Sequence, residues 1–230
     1  MVTPGVRVLA GGEGVVRVMS WNVRQLRDDR AAVLAVLRGA EPDVVAIQEP
    51  PRGPRGRSRL AALAHDAGLR VAVGGGGART TALLVRDGLP VVRARGVRLP
   101  WRPWSTRRGL AVADVVGLRV MSVHLPLDRA ERARHVRRLL LLVAAAPGPC
   151  VVAGDLNEPP GGPSWQRLSR HLHDATAGSG PTYPSSNPRH RIDAVLVAGL
   201  VAAGAHVVPG EAALRASDHR PVVVDVHPAR

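Results

Sequence analysis

The chain has 230 residues, with 32 Lys plus Arg against 18 Asp plus Glu, a net charge of +14 and a pI of about 11.7. A single cysteine and the lack of any uncharged apolar run of about 18 residues exclude a disulfide framework, a thiolate zinc site and a helical membrane span. A hydrophobic content of 45% suffices for one domain, but with no Phe its core must be filled by Val, Leu and Ala.

Residues 1–14 are Gly-rich and read as a flexible lead-in to a single domain over 15–230. The segment 15–21 alternates and then turns apolar, a strand that stops at Asn22. Acids at its start and Val33, Leu34 and Leu37 at helical spacing predict a helix over 28–39, closing near Gly39. A second strand over 44–47 ends at Gln48-Glu49-Pro50. The Pro/Arg/Gly-rich stretch 50–58 reads as a loop and 60–67 as a short helix. Gly74 to Gly77 lacks the Gly-Lys-Ser/Thr of a phosphate loop and reads as a hinge. Segments 80–85 and 90–97 are expected to pair as strands. Pro100-Trp-Arg-Pro-Trp104 is a rigid loop, and 109–115 and 118–123 form another pair, turned at Gly117 and ending at His124.

The clearest helix covers 129–146, with Val136, Leu139, Leu140 and Val143 against a basic face. It leads into the apolar strand 151–155, which runs straight into Asp155-Leu156-Asn157. A helix over 164–171, a loop through 188 and strands at 192–197, 201–208 and 221–226 complete the chain. Strands and helices mixed without strict alternation predict mixed sheets covered by helices.

Polar groups recur at strand ends. Asn22, Glu49, His124, Asp155 with Asn157, Asp193, and Asp218 with His219 each close an apolar segment. Such groups at one end of a sheet can converge on a cleft. Side chains two apart on an extended chain share a face, so Asp155 and Asn157 are expected to point the same way; the competing reading is an Asp/Asn turn that hydrogen-bonds its own backbone. All the basic side chains are Arg, which suits bidentate contact with phosphate.

Trp21-Asn22, Ile47-Gln48-Glu49, Ser122-Val123-His124-Leu125, Gly154-Asp155-Leu156-Asn157, Arg191-Ile192-Asp193 and Ser217-Asp218-His219-Arg220-Pro221 together resemble the ordered motifs of the endonuclease/exonuclease/phosphatase superfamily. The resemblance implies a deoxyribonuclease I-like α/β sandwich of two mixed β-sheets packed face to face and flanked by helices. It also implies a divalent-metal-dependent phosphodiesterase. Asn22, Glu49 and Asp218 would hold the cation, Mg²⁺ with Mn²⁺ as a substitute, a hard ion suited to oxygen donors. Asp155 and Asn157 would position water and scissile phosphate, His219 would contact phosphate or act as acid/base, Asp193 would orient it, and His124 would be a second phosphate-side histidine. Members pair the equivalent of His124 with a Glu, or place a Tyr on the phosphate; here residues 78–85 offer only Arg79 and Thr80.

The expected substrate is nucleic acid, hydrolysed by a cytoplasmic monomer with no membrane partner. The same core also serves phosphatases and lipid phosphodiesterases, which keeps small and lipid phosphoesters open as substrates, and a non-catalytic binding protein that has kept the fold is the remote alternative. Arg24, Arg79, Trp101, Trp104 and the Arg-rich loop Arg52 to Arg59 are candidate substrate contacts, because aromatics interleaved with Arg can stack on bases and grip phosphates.

Overall fold

The computed structural model describes residues 7–8 and 14–229; most of the expected lead-in 1–14 lies outside them. Inside that stretch, β1 (Arg7–Val8) pairs with β2 (Gly14–Asn22). Helix α1 (Arg30–Ala40) starts where the Asp29 carboxylate accepts the Ala32 N–H, and it stops at Glu41 in the left-handed region rather than at Gly39. Strand β3 (Val44–Gln48) follows, then α2 (Gly56–Asp66), β4 (Leu69–Gly74) and β5 (Thr81–Arg86). Next come β6 (Val91–Arg98), β7 (Gly109–Val115), β8 (Leu118–His124) and α3 (Arg129–Ala144), whose N-terminus is capped by Asp128. The chain closes with β9 (Cys150–Asp155), α4 (Pro163–Leu168), β10 (His173–Asp174), β11 (Asp193–Ala198), β12 (Leu200–Val207), α5 (Glu211–Ala216) and β13 (Val222–Pro228).

Two sheets result. One runs β12-β13-β2-β3-β5-β4 with β1 against β2, the other β10-β11-β9-β8-β7-β6. Each holds one parallel pair, β2 with β3 and β8 with β9, while the remaining neighbours are antiparallel. A parallel pair needs a long crossover, which α1 and α3 supply. The mixed two-sheet sandwich expected from the sequence is therefore the fold.

Strand alternation divides the core. Val16, Val18, Val44 and Ala46 meet Val120, Val151, Ala153 and Val195 between the sheets. Met19, Trp21, Val45 and Ile47 face α1, α2 and α5 on one outer side. Met121, Val123, Val152 and Leu196 face α3 and α4 on the other. The inward register continues to the strand ends, where it places Asn22, Gln48, His124 and Asp155, and it places Asp193 at the start of β11.

Several expectations give way. Segments 80–85 and 90–97 do not pair: β5 lies between β3 and β4, whereas β6 joins β7 in the other sheet, because the chain changes sheets at the Asp87–Pro90 turn. Gly74 to Gly77 is no hinge. A Cβ on Gly77 would meet the Gly96 carbonyl oxygen at 2.4 Å, and one on Gly109 would meet the Gly77 carbonyl oxygen at 2.0 Å, so glycine here serves close backbone approach between sheets. Helix α2 begins inside the expected loop, α4 is shorter than expected, and β4 and α5 were not foreseen.

Candidate active site

The tips of the two parallel pairs meet at the rim of the sandwich. Register sets Asn22 beside Gln48 and His124 beside Asp155, and across the antiparallel side Asp193 beside Asp155. Just beneath, Gln48 Nε2 donates to Ser122 Oγ at 3.3 Å and Ser122 Oγ donates to the Ile47 carbonyl at 3.0 Å, joining the two sheets under the site. A pocket of about 440 Å³ opens above, lined by Asn22, Glu49, His124, Asp155, Asn157, Asp218 and His219 among others.

Asp155 is the hub. Its Oδ2 lies 3.6 Å from His124 Nε2 and 3.9 Å from His219 Nε2, and it accepts from Asn22 Nδ2 at 3.3 Å. Burial, then the nearby Asp193 charge, pushes its carboxyl up to about 7. Asn157 lines the same pocket as Asp155, although it lies past the end of β9. The Asn157 backbone takes a left-handed φ of 50°, its N–H donates to Asp155 Oδ1 at 2.8 Å, and its Nδ2 donates to the Leu125 carbonyl at 2.8 Å. The local Asp/Asn turn and the chemical site are thus the same structure, because one carboxylate oxygen fixes the turn while the other faces the pocket.

His219 is held from both sides. Its Nδ1 lies 2.9 Å from Asp193 Oδ2, which also accepts from Thr182 Oγ1 at 2.6 Å, and the Tyr183 ring packs 4.8 Å from the imidazole. Burial pulls the imidazolium down, but the charge and hydrogen bond of Asp193, with Asp155 and Asp218, reverse this and raise it to about 9. With Nδ1–H donated to Asp193, Nε2–H faces Asp155 and the pocket. Ser217 Oγ donates to the Asn22 carbonyl at 2.7 Å and Trp21 Nε1 donates to the His219 carbonyl at 2.9 Å, which fixes the 217–219 loop to the β2 tip.

His124 behaves oppositely. Burial, with Arg108, His219 and Arg52 nearby, drives its proton affinity well below the ordinary value, so the ring is neutral. In place of a Glu or Tyr partner, its Nδ1 has no partner among the described residues. Arg108 Nη1 instead donates to the His124 carbonyl at 3.1 Å.

Glu49 is half-buried in the pocket wall, with backbone φ of 49°, and its carboxylate takes no hydrogen bond or ion pair among the described residues. Asn22 Oδ1 accepts the Arg24 N–H at 3.1 Å, and Arg24 Nε reaches Asp218 at 3.5 Å. Two carboxylates and an amide around one opening form an all-oxygen donor set that fits a hard divalent cation. Asp155, Asp193 and His219 also bring ligand atoms within 4.8 Å of one another. There Asp193 Oδ2 is engaged by His219 and Thr182, while Asp193 Oδ1 is buried with no hydrogen-bond partner among the described residues.

The remaining sequence candidates separate. Arg24 borders the site through Asp218. Arg79 lines a neighbouring pocket, while Trp101 and Trp104 are exposed and line neither pocket, Trp101 stacked under Arg107 at 4.4 Å. Arg108 and Thr182 went unrecognised in the sequence. Arg108 is one of many arginines, and Thr182 carries no signal beyond its place beside Tyr183.

The Endonuclease/Exonuclease/phosphatase family model matches residues 19–219. No curated protein matches. Among solved structures, an endonuclease/exonuclease/phosphatase from Bacteroides vulgatus aligns with TM-score 0.77 at 16% identity, over 94% of this chain and 100% of that one. One from Beutenbergia cavernae DSM 12333 aligns with TM-score 0.69 at 26% identity, over 94% of this chain and 72% of that one. D. rerio TDP2 complexed with single strand DNA product aligns with TM-score 0.70 at 17% identity, over 92% and 98% of the two chains.

Proposed function

The chain belongs to the endonuclease/exonuclease/phosphatase family, and on that premise we propose that it is a Mg²⁺-dependent phosphodiesterase that hydrolyses nucleic acid. The observation that carries this is the meeting of Asn22, His124 and His219 on one oxygen of Asp155, beside the unpartnered carboxylate of Glu49. The single-stranded DNA product bound to the similar TDP2 and the excess of arginine over acid favour nucleic acid over small phosphoesters.

Asn22, Glu49 and Asp218 would hold the cation. When bound, it supplies positive charge to the phosphoryl oxygens and lowers the pKa of water. The chain's own groups do the rest. Asp155, whose proton affinity sits near neutrality, aligns the attacking water and takes its proton. His219 is protonated across the physiological range, so its Nε2–H donates to a non-bridging oxygen as charge builds there. Asp193 and Thr182 keep that ring in one tautomer and one orientation. Neutral His124 and the Arg108 guanidinium line the phosphate side.

The test is cleavage of plasmid and single-stranded DNA by the wild type with Mg²⁺ and with chelator, beside Asp155→Ala. Metal-dependent cleavage lost in the variant is the expected result. Equal cleavage by both proteins sinks the reading, and activity confined to bis(p-nitrophenyl) phosphate moves the substrate to small phosphoesters.

A further inference from the structure

A second and larger pocket, about 720 Å³, adjoins the first. Two peptide links connect them: Glu49 and Arg108 line the catalytic pocket, while their neighbours Pro50 and Arg107 line the second. Consecutive Cα atoms are about 3.8 Å apart, so only a thin ridge separates the two. Arg52, Arg57, Arg79 and Arg107 converge on this second pocket, and no acid lines it.

None of these four guanidinium groups pairs with a carboxylate among the described residues. Other arginines are neutralised by a nearby acid, as Arg17 is by Asp225, Arg86 by Asp43, Arg119 by Asp114 and Arg132 by Glu158; what marks this pocket is that four guanidinium-bearing side chains line one cavity without an acid. Like charges gathered without counter-charge repel one another, and a bound anion relieves this. The Arg57 guanidinium lies over Gly75, whose α-carbon leaves room for it, since a Cβ there would approach Arg57 Nε to 2.8 Å. Arg52 lies close enough to lower the proton affinity of both His124 and Arg108, so its field spans both pockets.

We propose that this arginine pocket is a second phosphate subsite, which seats the phosphodiester group next to the scissile one on a single nucleic-acid strand. The inference rests on the proposed phosphodiesterase reading for the role of the first pocket. It makes the preferred substrate a chain bearing at least two phosphates rather than a lone phosphoester. Guanidinium forks match phosphate oxygens bidentately, and the apolar floor at Leu60 and Val71 gives the attached nucleoside a dry surface.

The experiment measures binding of a short single-stranded oligonucleotide to Asp155→Asn protein, with and without Arg57→Ala/Arg79→Ala, across a salt series. Cleavage by the wild type and by the Arg57→Ala/Arg79→Ala enzyme is followed in parallel. A second oligonucleotide carries uncharged methylphosphonate links flanking one phosphodiester. Removal of the two arginines should weaken binding about tenfold and flatten the log–log salt slope by about 1.4, since each phosphate contact on a single strand contributes about 0.7. The arginine-depleted protein should also cease to distinguish charged from neutral flanks, as expected when two partners of one contact are removed in a cycle. Unchanged affinity and slope, or equal sensitivity to neutral flanks in both proteins, overturns the subsite. If the wild type cleaves no nucleic acid while the binding differences hold, the proposed activity falls and the subsite stands.

Discussion

The two halves of the sandwich share a plan and differ in chemistry. In one, β2 and β3 run parallel around α1 and end at Asn22 and Gln48, with Glu49 following. In the other, β8 and β9 run parallel around α3 and end at His124 and Asp155. Topology alone carries both tips to one rim. Burial then separates their roles: Glu49 stays half-buried and unpartnered, suited to a cation, while Asp155 and His124 are enclosed and held away from their ordinary protonation behaviour. Desolvation disfavours charge, so on the proposed reading the enclosed Asp155 and His124 would handle protons, while half-buried Glu49 would hold the metal beside the buried Asn22.

The sharpest way to break this contrast is to remove one tip at a time. Asp155→Ala should lower kcat by about 10³–10⁴-fold, measured on an oligonucleotide at saturating Mg²⁺, because it deletes the water-orienting group. Glu49→Ala should cost about 10²–10³-fold, in part restored by raising Mg²⁺ or Mn²⁺, and calorimetry should show weakened Mg²⁺ binding. If extra metal restored Asp155→Ala as well as Glu49→Ala, the division between the tips would be wrong.

The protonation side can be read without turnover. In metal-free protein, the His219 imidazole should titrate by NMR near 9, and Asp193→Asn should bring it down toward the ordinary histidine value of about 6.5. The sign follows from a raised folded-state pKa. The ion pair stabilises the fold fully below the unfolded histidine value, and that contribution is lost as pH climbs through about 9.

Packing behind the tips differs too. Gly154 precedes Asp155, and a Cβ there would meet the Val123 carbonyl oxygen at 1.9 Å; in the partner half Ile47 stands opposite Trp21 with a full side chain. Gly154→Ala should cost about 3 kcal/mol in denaturant unfolding, since backbone must move. Ile47→Val should cost only about 0.5–1.5 kcal/mol, the smallest effect expected here. Equal costs would show that the two halves are packed alike.

Much of this was legible in the chain. The alternating segment 15–21 and the apolar runs 118–123 and 151–155, each leading into a polar group, marked the strands and the site residues together, because the side-chain period of a strand sets both the core face and the last side chain on it. Hidden were Arg108 and Thr182, whose roles depend on partners such as His124 and Asp193 brought near by folding. The turn at Asn157 was among the readings the chain offered; what stayed hidden is that one Asp155 oxygen fixes that turn while the other meets Asn22 and the two histidines.

By itself, then, the sequence determined a mixture of strands and helices, most strand ends and the identity of the groups placed there, since these follow from local periodicity and residue chemistry; the two-sheet sandwich came through the motif resemblance alone. Only the tertiary structure decided which sheet β5 and β6 joined, which histidine is charged and which neutral, and that four arginines without a carboxylate partner line one pocket. Those outcomes are sums of burial and Coulomb interaction over neighbours far apart in the chain, and no local pattern carries such a sum.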